Sequence, residues 1–153
     1  MKYFILFLFP LLAIGDEVLT RDERVIALTI LGEARGEGEI GMLAVACVIQ
    51  RRSWEKEKTS AEICLQPWQF SIWNAGKGNV KRERDLWYLW DSKRMVYARH
   101  LARFLNNEKI VLVDITKGAN HYYSKKIRKT PPDYLKEYEP VVIIKNHVFY
   151  KLD

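Results

Sequence analysis

Apolar residues recur at helical spacing in the region that follows Thr20. Thr20 and Glu23 have the spacing of a capping box, which predicts a helix that begins there and continues through VIALTILGEA. On this helix Ile26, Ile30 and Glu33 stand at positions i, i+4 and i+7, and therefore on one face. The pattern predicts a carboxylate in the last turn of the helix, beside two apolar side chains.

A second and more uniformly apolar segment follows a short turn. Gly36 and Gly38 are expected to end the first helix. IGMLAVACVIQRR then begins a second helix that is apolar on nearly every side until Gln50. A helix of this kind belongs in the middle of a hydrophobic core.

The remaining chain combines a polar loop, one further helix and short strands. Residues 54–80 are predicted to be mainly loop with a helical turn near Ser60. Residues 85–106 are predicted to be helical, with an apolar face formed by Met95, Ala98, Ala102 and Leu105. KIVLVD, PVVII and HVFYKL are candidate strands, and the last two predict an antiparallel pair that turns at Lys145 and Asn146. The pattern indicates one α+β domain, mainly helical, with a small antiparallel sheet near the C-terminus.

Residues 1–15, MKYFILFLFPLLAIG, form an apolar run that contains one lysine and ends in small residues. The run is shorter than the roughly 20 apolar residues that a transmembrane helix needs, so it is interpreted as a signal peptide for export. The mature chain, residues 16–153, would begin near Asp16 and be secreted, periplasmic or otherwise located in the cell envelope. An uncleaved membrane anchor is the main alternative.

Composition and charge add two constraints. With 153 residues, of which 48% are hydrophobic and five are tryptophan, the chain is suited to one folded domain. Its formal charge is +6, or +5 without Lys2, which suits an anionic partner such as wall polymer, nucleic acid or a membrane surface. Cys47 and Cys64 could form a disulfide in an oxidising compartment, but Cys47 is equally natural as a buried thiol.

Glu33 is the strongest candidate for chemistry. The negative end of the helix dipole and the apolar neighbours would both disfavour its charge, so its pKa is expected to rise. A glutamic acid with a raised pKa can hold a proton near neutral pH and deliver it to a departing oxygen. Arg35, Glu37 and Glu39 are expected to belong to a solvated connection between the two helices.

Three further stretches contain candidate binding residues. ICLQPWQFSIWN, residues 63–74, interleaves amides and a hydroxyl with Trp68, Phe70 and Trp73, a mixture that suits sugars. For either tryptophan alone, a place in the core is an equal alternative. GANHYYS and KNHVFYK add further polar side chains, and without an HExxH or CxxC motif neither a metal nor another cofactor is expected. The candidate substrate-binding residues are Gln66, Gln69, Ser71, Trp73, His121, Tyr122 and His147.

The motifs EARGEGE, GMLAVACVIQRR, QPWQFSIWN, GANHYYS and NHVFYK, in this order, resemble the cell wall hydrolase family typified by the spore cortex-lytic enzyme SleB. The resemblance implies a lysozyme-like catalytic domain over residues 16–153 that cleaves peptidoglycan as a glycosidase, with Glu33 as catalytic acid. Many relatives have a cysteine where this chain has Ile72, which leaves Cys64 without an obvious partner. A monomer is expected, with no nucleic acid partner and no membrane contact apart from a possible N-terminal anchor.

The reaction depends on how many acids the site contains. The usual glycosidase mechanism needs a second carboxylate roughly 5 to 9.5 Å from the first, and the motifs beyond the first turn contain none. One acid suffices for a lytic transglycosylase, in which the 6-hydroxyl of N-acetylmuramic acid attacks its own anomeric carbon, and the resemblance implies the same reaction. A hydrolytic muramidase or phage-type lysin and a non-catalytic wall-binding module are the alternatives.

Overall fold

The computed structural model describes residues 18–153. The predicted signal peptide, residues 1–15, and the expected start of the mature chain at Asp16 lie outside the described residues. Among the helices that the structure describes, none is both long enough and apolar enough to cross a membrane.

Helix α1 spans Arg21–Glu33 and begins with the predicted capping box. Thr20 Oγ1 accepts a hydrogen bond from the Glu23 N–H at 3.2 Å, and the Glu23 carboxylate accepts one from the Thr20 N–H at 2.8 Å. Ile26 and Ile30 are fully buried, and Glu33 is the last residue of the helix. The predicted start of α1 is therefore confirmed, and the helix ends one residue before the predicted end at Ala34.

Helix α2 spans Gly38–Lys56 and lies in the core, as its composition predicts. Gly38 is its first residue, so the chain reverses within the turn formed by residues 34–37. The buried side chains of α2 include Met42, Val45 and Ile49, and each such fully buried apolar side chain contributes about 1.5–3 kcal/mol to folding. The helical turn expected near Ser60 is α3, Ser60–Leu65.

The predicted helix over residues 85–106 is only half correct. Helix α4 spans Met95–Asn106, and the four residues of its predicted apolar face are all buried. The preceding part is a 3₁₀ helix, Glu83–Leu89, whose buried residues Leu86 and Leu89 are three positions apart, which is one turn of a 3₁₀ helix. A turn at residues 90–94 separates the two helices.

Three strands form an antiparallel sheet in the order β1, β3, β2. β1 spans His121–Ser124, β2 spans Val142–Ile144 and β3 spans His147–Tyr150. The predicted pairing of β2 with β3 is confirmed, with the turn at residues 145 and 146. β1 pairs with the other edge of β3, so a sequence that was considered only as a binding motif is also a strand.

The prediction of a strand at KIVLVD is wrong, because residues 109–114 pair with no other strand among the described residues. The Gln50 side chain takes the place of a neighbouring strand. Its amide donates to the Ile110 carbonyl at 2.8 Å and accepts from the Leu112 N–H at 2.9 Å. Val111 and Val113 are 67% and 75% exposed, so this segment lies extended on the surface.

Cys47 and Cys64 are free thiols, and both are buried. Cys47 Sγ lies 3.6 Å from the Val113 carbonyl oxygen. Burial raises the pKa of Cys47 to about 11 and that of Cys64 to about 12. Both are therefore protonated at neutral pH and poorly reactive.

Candidate active site

Glu33 lies in an open cavity of about 570 Å³ between the C-terminus of α1 and strand β1. Its Oε1 accepts hydrogen bonds from Ser71 Oγ at 3.0 Å and from the Ile72 backbone N–H at 2.9 Å. Its Oε2 accepts one from the Tyr122 hydroxyl at 2.9 Å. The surroundings of this carboxylate are therefore more polar than its helical face alone predicts.

Close packing of a 3₁₀ helix, Ser71–Trp73, against α1 brings two of these donors to the carboxylate. A Cβ at Gly32 would lie 2.5 Å from Ile72 Cγ1, so only glycine allows this approach. The Trp73 indole N–H donates to Thr29 Oγ1 at 2.7 Å, one helical turn before Glu33. Together these contacts hold the Ile72 N–H against the end of α1.

Tyr122 supplies the third hydrogen bond from strand β1. Burial, with the nearby Glu33 charge as a second cause, raises the pKa of Tyr122 well above 10, so its hydroxyl keeps its proton. Buried Arg52 positions the start of the same strand, because its Nε donates to the Asn120 carbonyl at 2.6 Å. The Arg52 guanidinium also stacks on the Phe70 ring at 5.2 Å and thereby joins β1 to the residue that precedes the 3₁₀ helix Ser71–Trp73.

Glu37, which was expected to lie in solvent, is only 3% exposed, and that expectation is wrong. Lys126 Nζ donates to its Oε1 at 2.8 Å, and the Asn146 N–H donates to its Oε2 at 2.9 Å. Burial alone would raise the pKa of Glu37, but the hydrogen bonds from Lys126 and Asn146 outweigh it and lower the pKa from 4.5 to about 2. The Glu37 carboxylate therefore joins the turn after α1 to the ends of two strands. Glu39 is exposed as expected.

The buried charge of Glu37 predicts a pH-dependent contribution to stability. Glu37→Gln should lower the free energy of unfolding at pH 7 by about 2–3 kcal/mol, because a carboxylate whose pKa falls on folding stabilises the charged folded state. This contribution is complete above the unfolded-state pKa near 4.5 and is lost as pH falls towards 2. Urea unfolding at pH 7 and at pH 3 measures it.

The difference between Glu37→Gln and the wild type should therefore shrink at pH 3. Glu39→Gln, a change at an exposed glutamate on the first turn of α2, is the matched control and should shift stability by less than about 0.5 kcal/mol. An equal loss at both pH values would show that the ionised carboxylate is not the source of the stabilisation.

Six of the eight residues predicted for the site line this one cavity, namely Glu33, Gln69, Ser71, His121, Tyr122 and His147. Gln66 lies outside the lining, where its side chain accepts a hydrogen bond from Lys56 Nζ at 3.2 Å. Trp73 is 1% exposed and packs in the core, so it cannot present its ring to a sugar. For Trp73 the core alternative is the correct one.

Trp68 and Tyr134 are the exposed aromatic residues of the cavity, at 65% and 58%. Trp68 has a φ of 65°, a conformation that is costly for a bulky side chain and is often found at binding sites. Trp68 lies in the aromatic stretch that the sequence singled out, but Trp73 was the predicted substrate-binding residue, and no sequence signal pointed to Tyr134. Exposure in the folded chain distinguishes Trp68 from Trp73.

The pKa values of the two predicted histidines are lowered, which favours their neutral forms. Burial, with the nearby Arg52 and Lys56 charges, lowers the pKa of His121 from 6.5 to about 4, and its Nδ1 lies 2.9 Å from Asn120 Oδ1. Burial also lowers the pKa of His147, which is 2% exposed and whose Nδ1 has no hydrogen-bond partner. Among residues 18–153 no group of three or more metal-ligating side chains is close enough together to hold an ion.

The sequence profile of the cell wall hydrolase family matches residues 36–150, so the chain belongs to that family. It is a peptidoglycan-acting enzyme with a role in the cell envelope or outside the cell. The matched range begins three residues after Glu33, and the match therefore does not test the role of this residue. A comparison with curated proteins gave no match.

Two solved structures are similar in fold. The catalytic domain of the Bacillus cereus SleB protein has a TM-score of 0.60 at 19% identity, and the match covers 90% of this chain and 94% of that one. The catalytic domain of the germination-specific lytic transglycosylase SleB from Bacillus anthracis has a TM-score of 0.61 at 21% identity, over 90% and 100% of the two chains. The predicted fold class is confirmed by these matches and by the helices and sheet described above.

Proposed function

We propose that this enzyme is a lytic transglycosylase that cleaves the glycan strand of peptidoglycan at N-acetylmuramic acid, with Glu33 as its single catalytic acid and base. Glu33 would first protonate the bridging oxygen of the glycosidic bond. The resulting carboxylate would then take the proton of the muramic acid 6-hydroxyl as that oxygen attacks the anomeric carbon. Glu33 would thereby regain the proton it donated, and no second acid would be needed.

The observation that carries the proposal is the contrast between the two carboxylates of the cavity. Among the described lining residues, Glu33 and Glu37 are the acids. Glu37 is fully engaged by Lys126 and Asn146, and its pKa of about 2 makes it a weak base for activating water. Glu33 is partly exposed in the cavity and is therefore the carboxylate that a sugar can reach.

Neutral hydrogen-bond groups around Glu33 support a sugar as the ligand. The Gln69 amide, the Ser71 hydroxyl and the imidazoles of His121 and His147 line the same cavity as the exposed Trp68 ring. Pyranose rings combine flat apolar faces with hydroxyl groups, and this lining offers partners for both. The donor from Tyr122 holds the Glu33 carboxylate in place and makes Tyr122 a positioning residue.

Mass spectrometry of a peptidoglycan digest tests both the activity and the mechanism. The products of the wild-type enzyme should end in 1,6-anhydromuramic acid, because an internal hydroxyl and not water attacks the anomeric carbon. Reducing muramic acid ends would instead show hydrolysis and would require a second base, for which Glu37 would be the first candidate. Release of no glycan product would favour the wall-binding alternative.

A further inference from the structure

The 3₁₀ helix Glu83–Leu89 presents an aromatic surface that the proposed reaction does not use. A 3₁₀ helix has three residues per turn, so side chains three positions apart lie above one another. Leu86 and Leu89 form its buried face, whereas Trp87 and Tyr88 on the two other faces are each 58% exposed. Apolar side chains that are exposed side by side form a candidate binding surface.

Two shallow depressions extend from this helix. Arg84, Trp87 and Trp90, at successive intervals of three, line the first together with the side chains of Arg24, Arg82 and Glu83. The second lies between α1 and the 3₁₀ helix and is lined by Leu31, Arg35, Tyr88, Leu89, Asp91 and Ser92. Trp87 and Tyr88 are adjacent in the sequence and therefore line different depressions on the two sides of one short helix.

Arg35 connects these depressions with the candidate active site, because it lines both the second depression and the cavity that contains Glu33. Tyr88 lines the depression that shares Arg35 with the cavity, and Trp87 and Trp90 line the other depression, on a different face of the same 3₁₀ helix. We call the surface formed by Arg35, Tyr88, Trp87 and Trp90 the aromatic track.

We propose that the aromatic track binds the glycan strand beyond the bond that is cleaved, so that the enzyme prefers long, wall-embedded strands to short fragments. The inference rests on the proposed function in taking a glycan as the ligand. The rings offer flat apolar surfaces to successive sugars, and Asp91 and Ser92 offer acceptors and a donor to their hydroxyls. Arg35 and Arg84 suit the carboxylates of the peptide stems on such a strand.

The double variant Trp87→Ala/Tyr88→Ala tests this proposal. The ratio of its cleavage rate on purified sacculi to its rate on a soluble peptidoglycan tetrasaccharide should fall about tenfold, equivalent to about 1.4 kcal/mol. Binding to sacculi, measured by co-sedimentation, should weaken by a similar factor. The matched control is Trp54→Ala/Tyr138→Ala, which removes two aromatic residues that are 48% and 40% exposed away from the aromatic track and should keep the wild-type ratio.

Two results would overturn the proposal. One is an unchanged rate ratio with unchanged binding to sacculi. The other is a double variant that binds sacculi as tightly as the wild type does but has lost a wild-type affinity for phosphatidylglycerol vesicles. That result would assign Trp87 and Tyr88 to a membrane surface. The sacculus-binding measurement does not depend on cleavage, so a wild-type protein that cleaves neither substrate would overturn the proposed function and still leave the aromatic track tested.

Discussion

Glu33→Gln should reduce peptidoglycan cleavage by at least about 10²-fold, the lower end of what general acid and base catalysis contributes. Glutamine has the same shape as glutamate but carries no transferable proton. Release of soluble wall fragments measures the rate, and the product spectrum identifies any residual activity.

The fold of this variant should survive. The amide oxygen of glutamine can still accept the hydrogen bonds of Ser71 and the Ile72 N–H, whereas the bond from Tyr122 must reorient. We expect a loss of about 1 kcal/mol in the free energy of unfolding, typical of one weakened hydrogen bond. Glu39→Gln is the matched control and should keep wild-type activity, because this glutamate is exposed and does not line the cavity. Full activity in Glu33→Gln would exclude Glu33 as the catalytic acid.

Trp73→Ala should lower the free energy of unfolding by about 3–5 kcal/mol, the usual cost of truncating a buried aromatic side chain. The change opens a cavity between α1 and the 3₁₀ helix Ser71–Trp73 and leaves Thr29 without its indole donor. Because Ile72 precedes this ring, the N–H that bonds to Glu33 should also shift, and activity should fall at temperatures where the variant is still folded. Chemical unfolding and a fragment-release assay measure the two effects.

Trp73→Phe distinguishes lost packing from the lost hydrogen bond. It keeps an aromatic ring in the core and removes the indole N–H, so we expect a smaller loss of stability than for alanine. If Trp73→Ala instead melted like the wild type and bound sacculi more weakly, the assignment of Trp73 to the core would be contradicted. Trp73 would then be a sugar-binding residue.

Short-range features of the chain could be predicted from the sequence. The capping box of Thr20 and Glu23 and the apolar spacing that follows place Glu33 at the end of α1, because helix starts and helical faces depend on residues three or four positions apart. The hairpin of β2 and β3 was predictable for the same reason, since its turn joins two adjacent apolar runs.

Contacts between residues far apart in the sequence required the tertiary structure. Glu37 looks like an ordinary solvated turn residue, but its partners Lys126 and Asn146 lie 89 and 109 positions away. Trp68 and Trp73 occur in the same motif, but Trp73 packs in the core, where its indole donates to Thr29, whereas Trp68 is exposed. Local pattern determines which face of an element is apolar, whereas the burial of a particular charge or ring depends on which distant groups pack against that face.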